Sequence, residues 1–552
     1  MRIANLMFVV LVAACAYQPE TDSELVVRGE APLFDGMGRH HHAITTNDPG
    51  AQRYFDQGLV LSFAFNHAES IRSFRAAQRL DPDCAMCFWG EALATGPNIN
   101  VTSNGKVIMS PDERMAAYAA IQKALALKGN ASERERDYID ALATRYNGDP
   151  DTARNPLDIA YAEAMSRLAA KYPDDTDAAS LYAEALMNTM PWNYWADDGN
   201  PKPDTVKVLS HLERVLDTEP DHPLAIHLYI HAVEASSSPE RAEAPADRLA
   251  SLVPGAGHLV HMPAHIYWRV GRYNDASSAN IAAARVDEAY IAQCNAQGFY
   301  PALYYPHNLH FLWAASTMEG RSALSIDSAF RVVKNVSLEQ VDQFPTVELF
   351  RTIPLLSYVR FAKWDEILAY KGDPDKYKFS TGMLHYARGV ALAAQGDLDA
   401  ASKEQSRLAA LKDEVSIRFL DSIDVPASDM MAIANQLLQG EIAYRSQDYD
   451  TAIGHYEQAV QIQDTLPYTE PPFWYYPTRQ SLGQALLDAG RPADAESVYR
   501  KDLEQYPRNG WSMNGLARSL EAQGKETEAA AAMVRFDNLW QMADVELSGS
   551  RL

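Results

Sequence analysis

The sequence of 552 residues contains few cysteines, and it has no long apolar segment beyond its first residues. Of its four cysteines, three remain after Cys15, and a disulfide framework would show more of them and in even number. After residue 14, no apolar run approaches the ~20 residues that a helix needs to span a bilayer. A small disulfide-stabilised fold and a multi-spanning membrane protein are both excluded.

Basic residues are also scarce relative to acidic ones. The chain has 49 Lys and Arg against 73 Asp and Glu, and its net charge of −24 is spread along its length. Nucleic acid requires clustered basic residues to neutralise phosphates, so no nucleic-acid partner is expected. We interpret the acidic residues as a solvated surface rather than as a site for a charged partner. A hydrophobic content of 47% is enough for a large core.

Several catalytic motifs are missing from the sequence. No Gly-rich phosphate loop and no strand pattern occurs, and the His-Glu-x-x-His motif of zinc proteases is absent. No Ser-His-Asp arrangement follows from spacing, and no paired carboxylates suit glycoside hydrolysis. The sequence therefore leaves open whether the protein is an enzyme.

The N-terminus has the pattern of a secretion signal. A basic start is followed by the apolar run Leu6–Ala14 and then by Cys15. Val12-Ala13-Ala14-Cys15 resembles the lipobox of bacterial lipoproteins, which implies that residues 1–15 form the signal segment and that Cys15 is lipidated. Ala16 next to it implies the periplasmic side of the outer membrane. The alternative is an ordinary signal peptide cut nearby; either way we expect a protein of the bacterial cell envelope.

Residues 16–50 are polar and rich in turn formers, which predicts a tether between the lipid anchor and the fold. His40-His41-His42 lies within this segment. We interpret it as a solvated loop, with a flexible metal-capturing arm as the alternative.

Three cysteines follow Cys15. Cys84-Ala-Met-Cys87 is compatible with a short-loop disulfide, with a second metal site formed by thiols, or with a reduced pair, and an oxidising compartment favours the disulfide. Cys294 is interpreted as a buried apolar residue.

From Ala51 onward small residues, aromatic residues and prolines recur at helical spacing. The first group is Tyr54, Gly58, Phe74, Ala77 and Pro82, and a late group is Gly483, Leu486, Gly490, Ala495, Tyr499 and Pro507. These residues resemble the tetratricopeptide repeat. The resemblance implies an all-α superhelix (α-solenoid) of roughly ten to eleven helical hairpins over residues 51–546, in which the first helix of each unit lines a concave groove. That family serves mainly as a protein-binding scaffold.

Seven histidines in the central units, about residues 224–335, share a common spacing. Two pairs of them are 34 residues apart and two pairs are 49 residues apart. A period of 34 is the length of one tetratricopeptide unit, and 49 corresponds to one unit with an insertion. The seven residues are His227, His231, His258, His261, His265, His307 and His310.

All seven histidines fall on corresponding positions of three consecutive first helices. When Ala276 is position 20 of its unit, they occupy positions 2, 5 or 9, which lie within about 60° of arc. In the tetratricopeptide family these positions face the groove. The resemblance therefore implies that imidazoles from neighbouring units converge on the concave surface.

Neutral imidazole is the commonest metal-binding side chain, and His at i and i+4 can present two nitrogens to one ion. Imidazole ligands without thiolates suit copper, zinc, nickel or non-haem iron. Seven exceed the three or four ligands of one zinc ion, so several ions, or one ion with additional histidines around it, would fit. The alternatives are a groove that grips an anionic peptide or small molecule, and histidines that hydrogen bonds satisfy structurally.

Two charged residues follow the histidines by about one helical turn. Glu234 is a candidate metal ligand or an acceptor for an imidazole N–H. Arg269 is a candidate for holding an anionic substrate, with a salt bridge to a neighbouring repeat as the alternative. Insertions at 95–111, 190–203 and 293–301 are candidate lids over the groove.

The sequence thus predicts a lipid-anchored envelope protein with a histidine-lined groove for one or more transition-metal ions (copper, zinc or iron), with metal-dependent catalysis left open. The alternative function is an envelope scaffold whose groove histidines contact a peptide, a protein or a small ligand.

Overall fold

The computed structural model describes residues 21–102, 107–196, 198–294 and 300–552. Cys15 and the predicted signal segment lie outside the described residues. Within the described ranges the fold is all-α apart from two short parallel strands, β1 (Val101–Thr102) and β2 (Val107–Ile108).

The first half of the chain consists of short helices joined by tight turns. They are α1 (Asp22–Gly29), α2 (Pro49–Phe63), α3 (His67–Leu80), α4 (Ala85–Thr95), α5 (Pro111–Leu127), α6 (Glu133–Ala143), α7 (Arg154–Lys171), α8 (Thr176–Thr189), α9 (Pro203–Thr218), α10 (Pro223–Val233), α11 (Glu243–Leu252), α12 (Gly257–His261), α13 (Pro263–Arg269) and α14 (Tyr273–Cys294).

The second half continues the pattern after a π-helical turn at Tyr300–Tyr304. Its helices are α15 (Tyr305–Met318), α16 (Ser322–Asn335), α17 (Leu338–Gln343), α18 (Glu348–Arg360), α19 (Trp364–Ala369), α20 (Lys378–Ala394), α21 (Leu398–Ala410), α22 (Val415–Ser422), α23 (Ala427–Arg445), α24 (Tyr449–Asp464), α25 (Arg479–Asp488), α26 (Pro492–Gln505), α27 (Gly510–Ala522) and α28 (Glu526–Leu539). Short 3₁₀ turns occupy Lys128–Asn130, Pro239–Ala242 and Pro345–Val347.

Local sequence explains where many helices begin. Ser110, Ser132 and Ser337 each accept a hydrogen bond from the third backbone N–H of the helix that follows, and the Glu or Gln at that position accepts from the backbone N–H of the serine. This reciprocal pair satisfies two N–H groups that a helix start otherwise leaves free. Proline stands in the first turn of α2, α5, α9 and α10, where its missing N–H costs nothing.

Neighbouring helices pack as hairpins, and a glycine–aromatic contact recurs between them. The ring of Phe74 fills the space left by Gly58 and Gly90, and a Cβ on Gly90 would lie only 2.2 Å from that ring. Tyr499 lies in the same way against Gly483 and Gly515. A repeated glycine therefore lets two helices approach across an aromatic ring. The all-α tetratricopeptide-like fold expected from the sequence is confirmed.

The C-terminal units fold back onto the centre of the array. The indole N–H of Trp511 donates to the carbonyl of Thr317 (3.1 Å), and Asp544 accepts from the backbone N–H groups of Ser322 and Ala323. On the other side, α2 of the first unit packs against α10. Helices α10 to α15 are therefore covered from both ends of the chain.

The prediction of a tether at residues 16–50 is wrong over its described part. Residues 22–29 form α1, Leu25 and Ala31 are buried, and the N–H of Gly255 donates to the carbonyl of Gly36 (2.9 Å). The segment lies in contact with several repeats, where scattered apolar side chains are buried without any helical period. None of the described helices combines the length and the apolar character needed to cross a membrane.

Candidate metal centre

Six of the seven predicted histidines come together where α10, α12, α13 and α15 meet. We call His227, His231 and His258 triad A, and His261, His265 and His307 triad B. The six together are the histidine centre. Triad A combines two residues of α10 with one of α12, and triad B takes one residue from each of α12, α13 and α15.

Each triad is compact enough to hold one ion. In each, one nitrogen from every imidazole lies within 4.8 Å of the other two. Five of the six residues are at most 4% exposed, and His307 is half-buried. In triad B, Nε2 of His261 lies 2.9 Å from Nε2 of His265. Three imidazole nitrogens would leave a fourth position open on each ion.

The two triads adjoin. The ring of His231 lies 5.5 Å from that of His265, and the ring of His258 lies 5.8 Å from that of His261, measured between centroids. These spacings resemble those within each triad, where the rings of His227 and His231 are 4.9 Å apart. The centre is one continuous cluster, which is the arrangement that a two-metal site requires.

Oxygen acceptors orient most of the rings. Nδ1–H of His227 donates to the carbonyl of Phe63 (2.7 Å), and Nδ1–H of His261 donates to Oδ1 of Asn280 (2.6 Å). The Asn280 amide is oriented by its NH₂ group, which donates to the carbonyl of Ala276. A proton held on Nδ1 leaves the Nε2 lone pair free to bind an ion.

Glu234 links the two triads. Its Oε1 accepts from Nδ1 of His231 (2.8 Å), and its Oε2 accepts from Nδ1 of His265 (2.6 Å). The side chain is 2% exposed. Both oxygens face the Nδ1 side of the rings, so this carboxylate has the position of an orienting group rather than that of a metal ligand.

Arg269 points to the backbone and not into the histidine centre. Its guanidinium donates to the carbonyls of Glu234 and Ser236 and lies over the ring of Tyr468 at 5.3 Å. It therefore supports the loop that carries Glu234, and the structure gives no ion pair for it with a neighbouring repeat among the described residues.

Electrostatics keep most of the centre uncharged. Burial, together with the neighbouring imidazoles, holds the pKa values of His227, His258, His261 and His307 well below their ordinary range. His265 differs: burial opposes its charged form, but Glu234 and Glu470 outweigh burial and raise its pKa. At neutral pH each of these four rings is neutral and has one N–H and one nitrogen lone pair.

Several of these nitrogens have no hydrogen-bond partner in the described structure. They are Nε2 of His227, Nε2 of His231 and both nitrogens of His258, and all are fully buried. A buried polar atom without a partner costs about 1–3 kcal/mol. A metal ion would satisfy them, and neutral imidazoles in sets of three fit copper, zinc, nickel or iron.

Two phenylalanines pack against the triads. The ring of Phe65 lies 4.5 Å from that of His227 and 5.4 Å from that of His258, and Phe311 lies 4.9 Å from His265. Phe65 occupies a hairpin turn with φ 56°, where the equivalent residue after α13 is Gly271 with φ 77°. A non-glycine residue in this conformation costs about 1–3 kcal/mol, and such strain concentrates at functional sites.

Two exposed aromatic residues flank the centre at the surface. Trp192, from the insertion at 190–203, is 50% exposed and stands perpendicular to His231 at 5.0 Å. Tyr468, between α24 and α25, is 45% exposed, and its hydroxyl donates to Oε2 of Glu234 (3.4 Å) and to Glu470. We call Trp192 and Tyr468 the aromatic rim.

Sequence reasoning did not identify several residues of this site. Glu470 lies 3.3 Å from Nδ1 of His265, its side chain is 2% exposed, and its Oε2 accepts no hydrogen bond. It comes from a segment more than 200 positions away along the chain, so no local spacing could indicate it. Phe65 did leave a signal, since it stands where a helical hairpin normally has glycine.

His310, predicted as a groove ligand, lies outside both triads. It stacks on Trp313 at 5.1 Å and packs against Phe350 of α18 at 4.9 Å. Burial lowers its pKa to about 3. His310 follows His307 by three residues, which turns its side chain by about 60° around the helix, and its ring lies against α18.

The expectation that His40-His41-His42 is a solvated loop is wrong for two of the three residues. The side chains of His40 and His42 are 6% and 5% exposed, and both contact Asp177 of α8. His41 is exposed and pairs with Asp56. His222 also contacts Asp177, and we call His40, His42, His222 and Asp177 the Asp177 clasp.

The Asp177 clasp is a hydrogen-bonded network. Nδ1 of His222 accepts from the backbone N–H of Ala225, so its proton is on Nε2 and points to Oδ1 of Asp177 (3.1 Å). Nδ1 of His42 donates to Oδ2 at 2.6 Å. Burial disfavours the charged form of His40, but Asp177 outweighs burial and raises its pKa. Burial would raise the pKa of Asp177, but bonds from His222, His40 and His42 hold it well below its usual range.

The cysteines lie apart from the centre. Cys84 and Cys87 form a disulfide at the start of α4, and Cys294 is a half-buried free thiol whose pKa burial raises to about 11. His67 begins α3 and has partners on both nitrogens, the carbonyl of Ala94 and the amide of Asn98.

Comparison with known proteins concerns the fold. The tetratricopeptide repeat family matches residues 481–536, and none of the curated proteins matches the chain. A human IFIT1 dimer with m7Gppp-AAAA is 12% identical, with 94% of this chain and 93% of that chain covered and a TM-score of 0.31. Yeast Tom70 is 13% identical, with 90% and 93% covered and a TM-score of 0.26. At TM-scores this low the similarities carry no argument about ligand or partner.

Proposed function

We propose that this chain is a lipid-anchored protein of the bacterial cell envelope whose histidine centre binds two transition-metal ions, one at each triad. The observation that carries the proposal is the orientation of the imidazoles. Acceptors hold the Nδ1 protons of His227, His231 and His261 on the outside, and Nε2 of His227, Nε2 of His231 and both nitrogens of His258 have no hydrogen-bond partner. Of the divalent ions, Cu²⁺ binds nitrogen ligands most tightly, which makes copper the first candidate ahead of zinc and iron.

Elemental analysis of the full chain, purified without a histidine tag, tests the proposal. After loading and desalting we expect about two ions per chain. His231→Ala removes a ligand of triad A and His265→Ala one of triad B, so each should lower the content toward one ion. His455→Gln is the matched control, because His455 is a half-buried histidine bonded to Gln436 in a distant unit. Wild-type protein that retains less than about 0.2 ion per chain would overturn the proposal.

Electron paramagnetic resonance of the copper-loaded protein tests whether the two ions are neighbours. Two Cu²⁺ ions joined by a bridging ligand couple their spins. We therefore expect the integrated signal to account for less copper than chemical analysis finds. Two uncoupled signals that integrate to the full copper content would mean separate sites.

The lipid anchor is tested independently of the metal. Cys15→Ser should move the protein from the membrane fraction to the soluble fraction and abolish incorporation of labelled fatty acid. If Cys15→Ser remains membrane-bound, the anchor is not at this cysteine.

A second candidate function is a binding scaffold, and the repeat match at residues 481–536 favours it. The fold class generally binds peptides or proteins. A surface groove in these units is lined by Arg500, Leu503, Arg508, Met513 and Leu516, far along the chain from the histidine centre. A photo-crosslinker at Met513 should capture one defined partner in cells equally well in wild type and in His231→Ala. Capture that depends on the histidines would place the partner at the centre instead.

A further inference from the structure

We propose that the copper-loaded histidine centre oxidises catechol-type phenols with dioxygen, and that the aromatic rim receives the phenol. This inference rests on the proposed two-metal function and adds to it a reaction and a substrate class. Three observations carry it: the paired triads, the all-imidazole ligand set, and an aromatic entrance with a buried acceptor beside it.

The pairing of the triads determines how many electrons the centre can exchange. Copper changes its charge by one unit, so two adjacent ions exchange two electrons together. The rings of the two triads approach to 5.5 Å and 5.8 Å, and each triad leaves one coordination position open. A diatomic molecule between the triads can thus contact both ions at once.

The imidazole ligands leave the reduced pair accessible. Among the groups that face the ions, all six are imidazoles, and the oxygens of Glu234 lie on the Nδ1 side. Imidazole binds a metal as a neutral ligand, so the six ligands add no negative charge that would favour Cu²⁺ over Cu⁺. Such a centre accepts electrons readily from a phenol and can then pass them to dioxygen.

The electrons and protons balance over two phenol molecules. The first catechol gives two electrons to two Cu²⁺ ions, releases two protons and leaves as the quinone. Dioxygen takes those two electrons from the Cu⁺ pair and two more from a second catechol, which also releases two protons and leaves as quinone. The O–O bond breaks, and four electrons and four protons convert one dioxygen into two waters. No other oxidant or reductant is required.

The aromatic rim has the chemistry of an entrance for a flat aromatic molecule. Trp192 is half exposed although it lies 5.0 Å from His231, and its backbone is held at φ 58°. Tyr468 is in contact with Glu234 and Glu470. An aromatic donor can pack on the tryptophan edge or face, beside the ligand His231.

Glu470 supplies a polar anchor for the phenol hydroxyl. Its Oε2 is buried, receives no hydrogen bond and lies 3.3 Å from Nδ1 of His265. This oxygen forms an ion pair with His265 but accepts no hydrogen bond, and a phenol O–H entering beside Tyr468 would provide a donor. The acceptor therefore selects for a hydroxylated ring over a plain aromatic one.

The test uses the copper-loaded full chain with catechol as the probe, an oxygen electrode and parallel copper analysis. We expect dioxygen consumption in proportion to bound copper, with two quinones formed per dioxygen. His231→Ala should abolish it. Trp192→Ala should raise KM about two- to tenfold, the change expected for losing one aromatic contact, while copper content and kcat change little. Trp192→Phe should recover most of the loss.

A matched aromatic control and separate outcomes keep the inference falsifiable. Phe344→Ala removes an aromatic residue that is 54% exposed elsewhere, and it should leave KM unchanged. About two copper ions per chain without catechol-dependent dioxygen uptake would overturn this inference and leave the metal proposal intact. Retention of zinc but not copper would do the same. Absence of any metal would overturn both, and an unchanged KM in Trp192→Ala would overturn the docking site.

Discussion

Two clusters of buried histidines lie on either side of Phe63, and their imidazole N–H groups point in opposite directions, inward in one cluster and outward in the other. In the Asp177 clasp, imidazole N–H groups converge on a carboxylate, and His40 packs on the Phe63 ring at 5.3 Å. In the histidine centre, the N–H groups point outward, and His227 donates to the Phe63 carbonyl. Both clusters contain three or more potential ligands within 4.8 Å.

The comparison shows that proximity of histidines does not by itself indicate a metal. The clasp has an anion in the middle that accepts from His42 and His222, although Nε2 of His40 and Nε2 of His42 have no hydrogen-bond partner. The centre has no anion between its rings, and its unpartnered nitrogens offer lone pairs to an added cation. The metal proposal therefore depends on whether an anion or lone pairs lie between the rings.

Metal removal should produce the largest difference between the two clusters. A ligand present at about 1,000 times its Kd stabilises the folded state by about 4 kcal/mol per site. Chelation of the loaded protein should thus lower the thermal midpoint sharply, as measured by circular dichroism. Asp177→Asn should show the same drop on chelation, because we expect no metal in the clasp. The double variant His231→Ala, His265→Ala should show little drop. If chelation leaves the thermal midpoint of the wild-type protein unchanged, the proposed difference between the two clusters is wrong.

Disrupting the clasp should destabilise the metal-free protein, whereas disrupting the centre should not. Asp177→Asn removes the negative charge and replaces one of the two accepting oxygens with an NH₂ group, and breaking a buried ion pair costs about 3–5 kcal/mol. His258→Leu removes two nitrogens that have no partner, so it should be neutral or stabilising by about 1–2 kcal/mol. Denaturant unfolding of both variants without metal checks the order. A larger loss of unfolding free energy in His258→Leu than in Asp177→Asn would contradict the comparison.

Loss of the Glu234 carboxylate, which orients one histidine of each triad, should weaken both metal sites together. Glu234 holds His231 of triad A and His265 of triad B. Replacing such an orienting group typically costs about 10–100-fold in metal affinity, so Glu234→Gln should weaken both ions in a chelator competition. Asn280→Ala is the matched variant, because Asn280 holds only His261 and should affect triad B alone. Equal effects of the two variants would argue against the bridging role.

The smallest effect expected is a pH dependence of the clasp. The pKa of His40 is raised, so its contribution to stability is complete below about pH 6.5 and is lost as the pH rises through the raised value. The pKa of Asp177 is lowered, so its contribution is present above about pH 4 and is lost at lower pH. The midpoint difference between wild type and Asp177→Asn should be largest between these limits and shrink toward pH 8.5. A constant difference would mean that His40 is not charged in the fold.

Much of the fold was predictable because the same spacing of glycine and aromatic residues recurs in several repeats. Glycine and aromatic spacing such as Gly58 with Phe74, or Gly483 with Tyr499, indicates a hairpin in each unit independently. The register of the histidines likewise placed six of them on neighbouring helices. Local periodicity is a property of single helices and their neighbours, and it can be read without knowing the path of the chain.

The rest of the site depended on contacts between distant parts of the chain. His40 and His42 looked like a solvated loop because no periodic apolar residue accompanies them. They are buried by Asp177 of α8 together with the rings of Phe63 and Tyr138. Glu470 and Tyr468 reach the centre because the C-terminal units fold back. His310 shared the register of the others, yet one rotation of about 60° placed it against α18.

By itself the sequence determined the hairpin repeat, the position of the histidine helices and the type of ligand they offer, because these follow from spacing of 34 residues and from side-chain chemistry. The tertiary structure alone decided that six histidines divide into two triads, that Glu234 joins them, and that the Asp177 clasp is a network of donors. The physical reason is that hydrogen-bond direction depends on what lies behind each ring. Here that is Phe63, Asn280 or Glu234 for the centre, and Ala225 for His222 of the clasp.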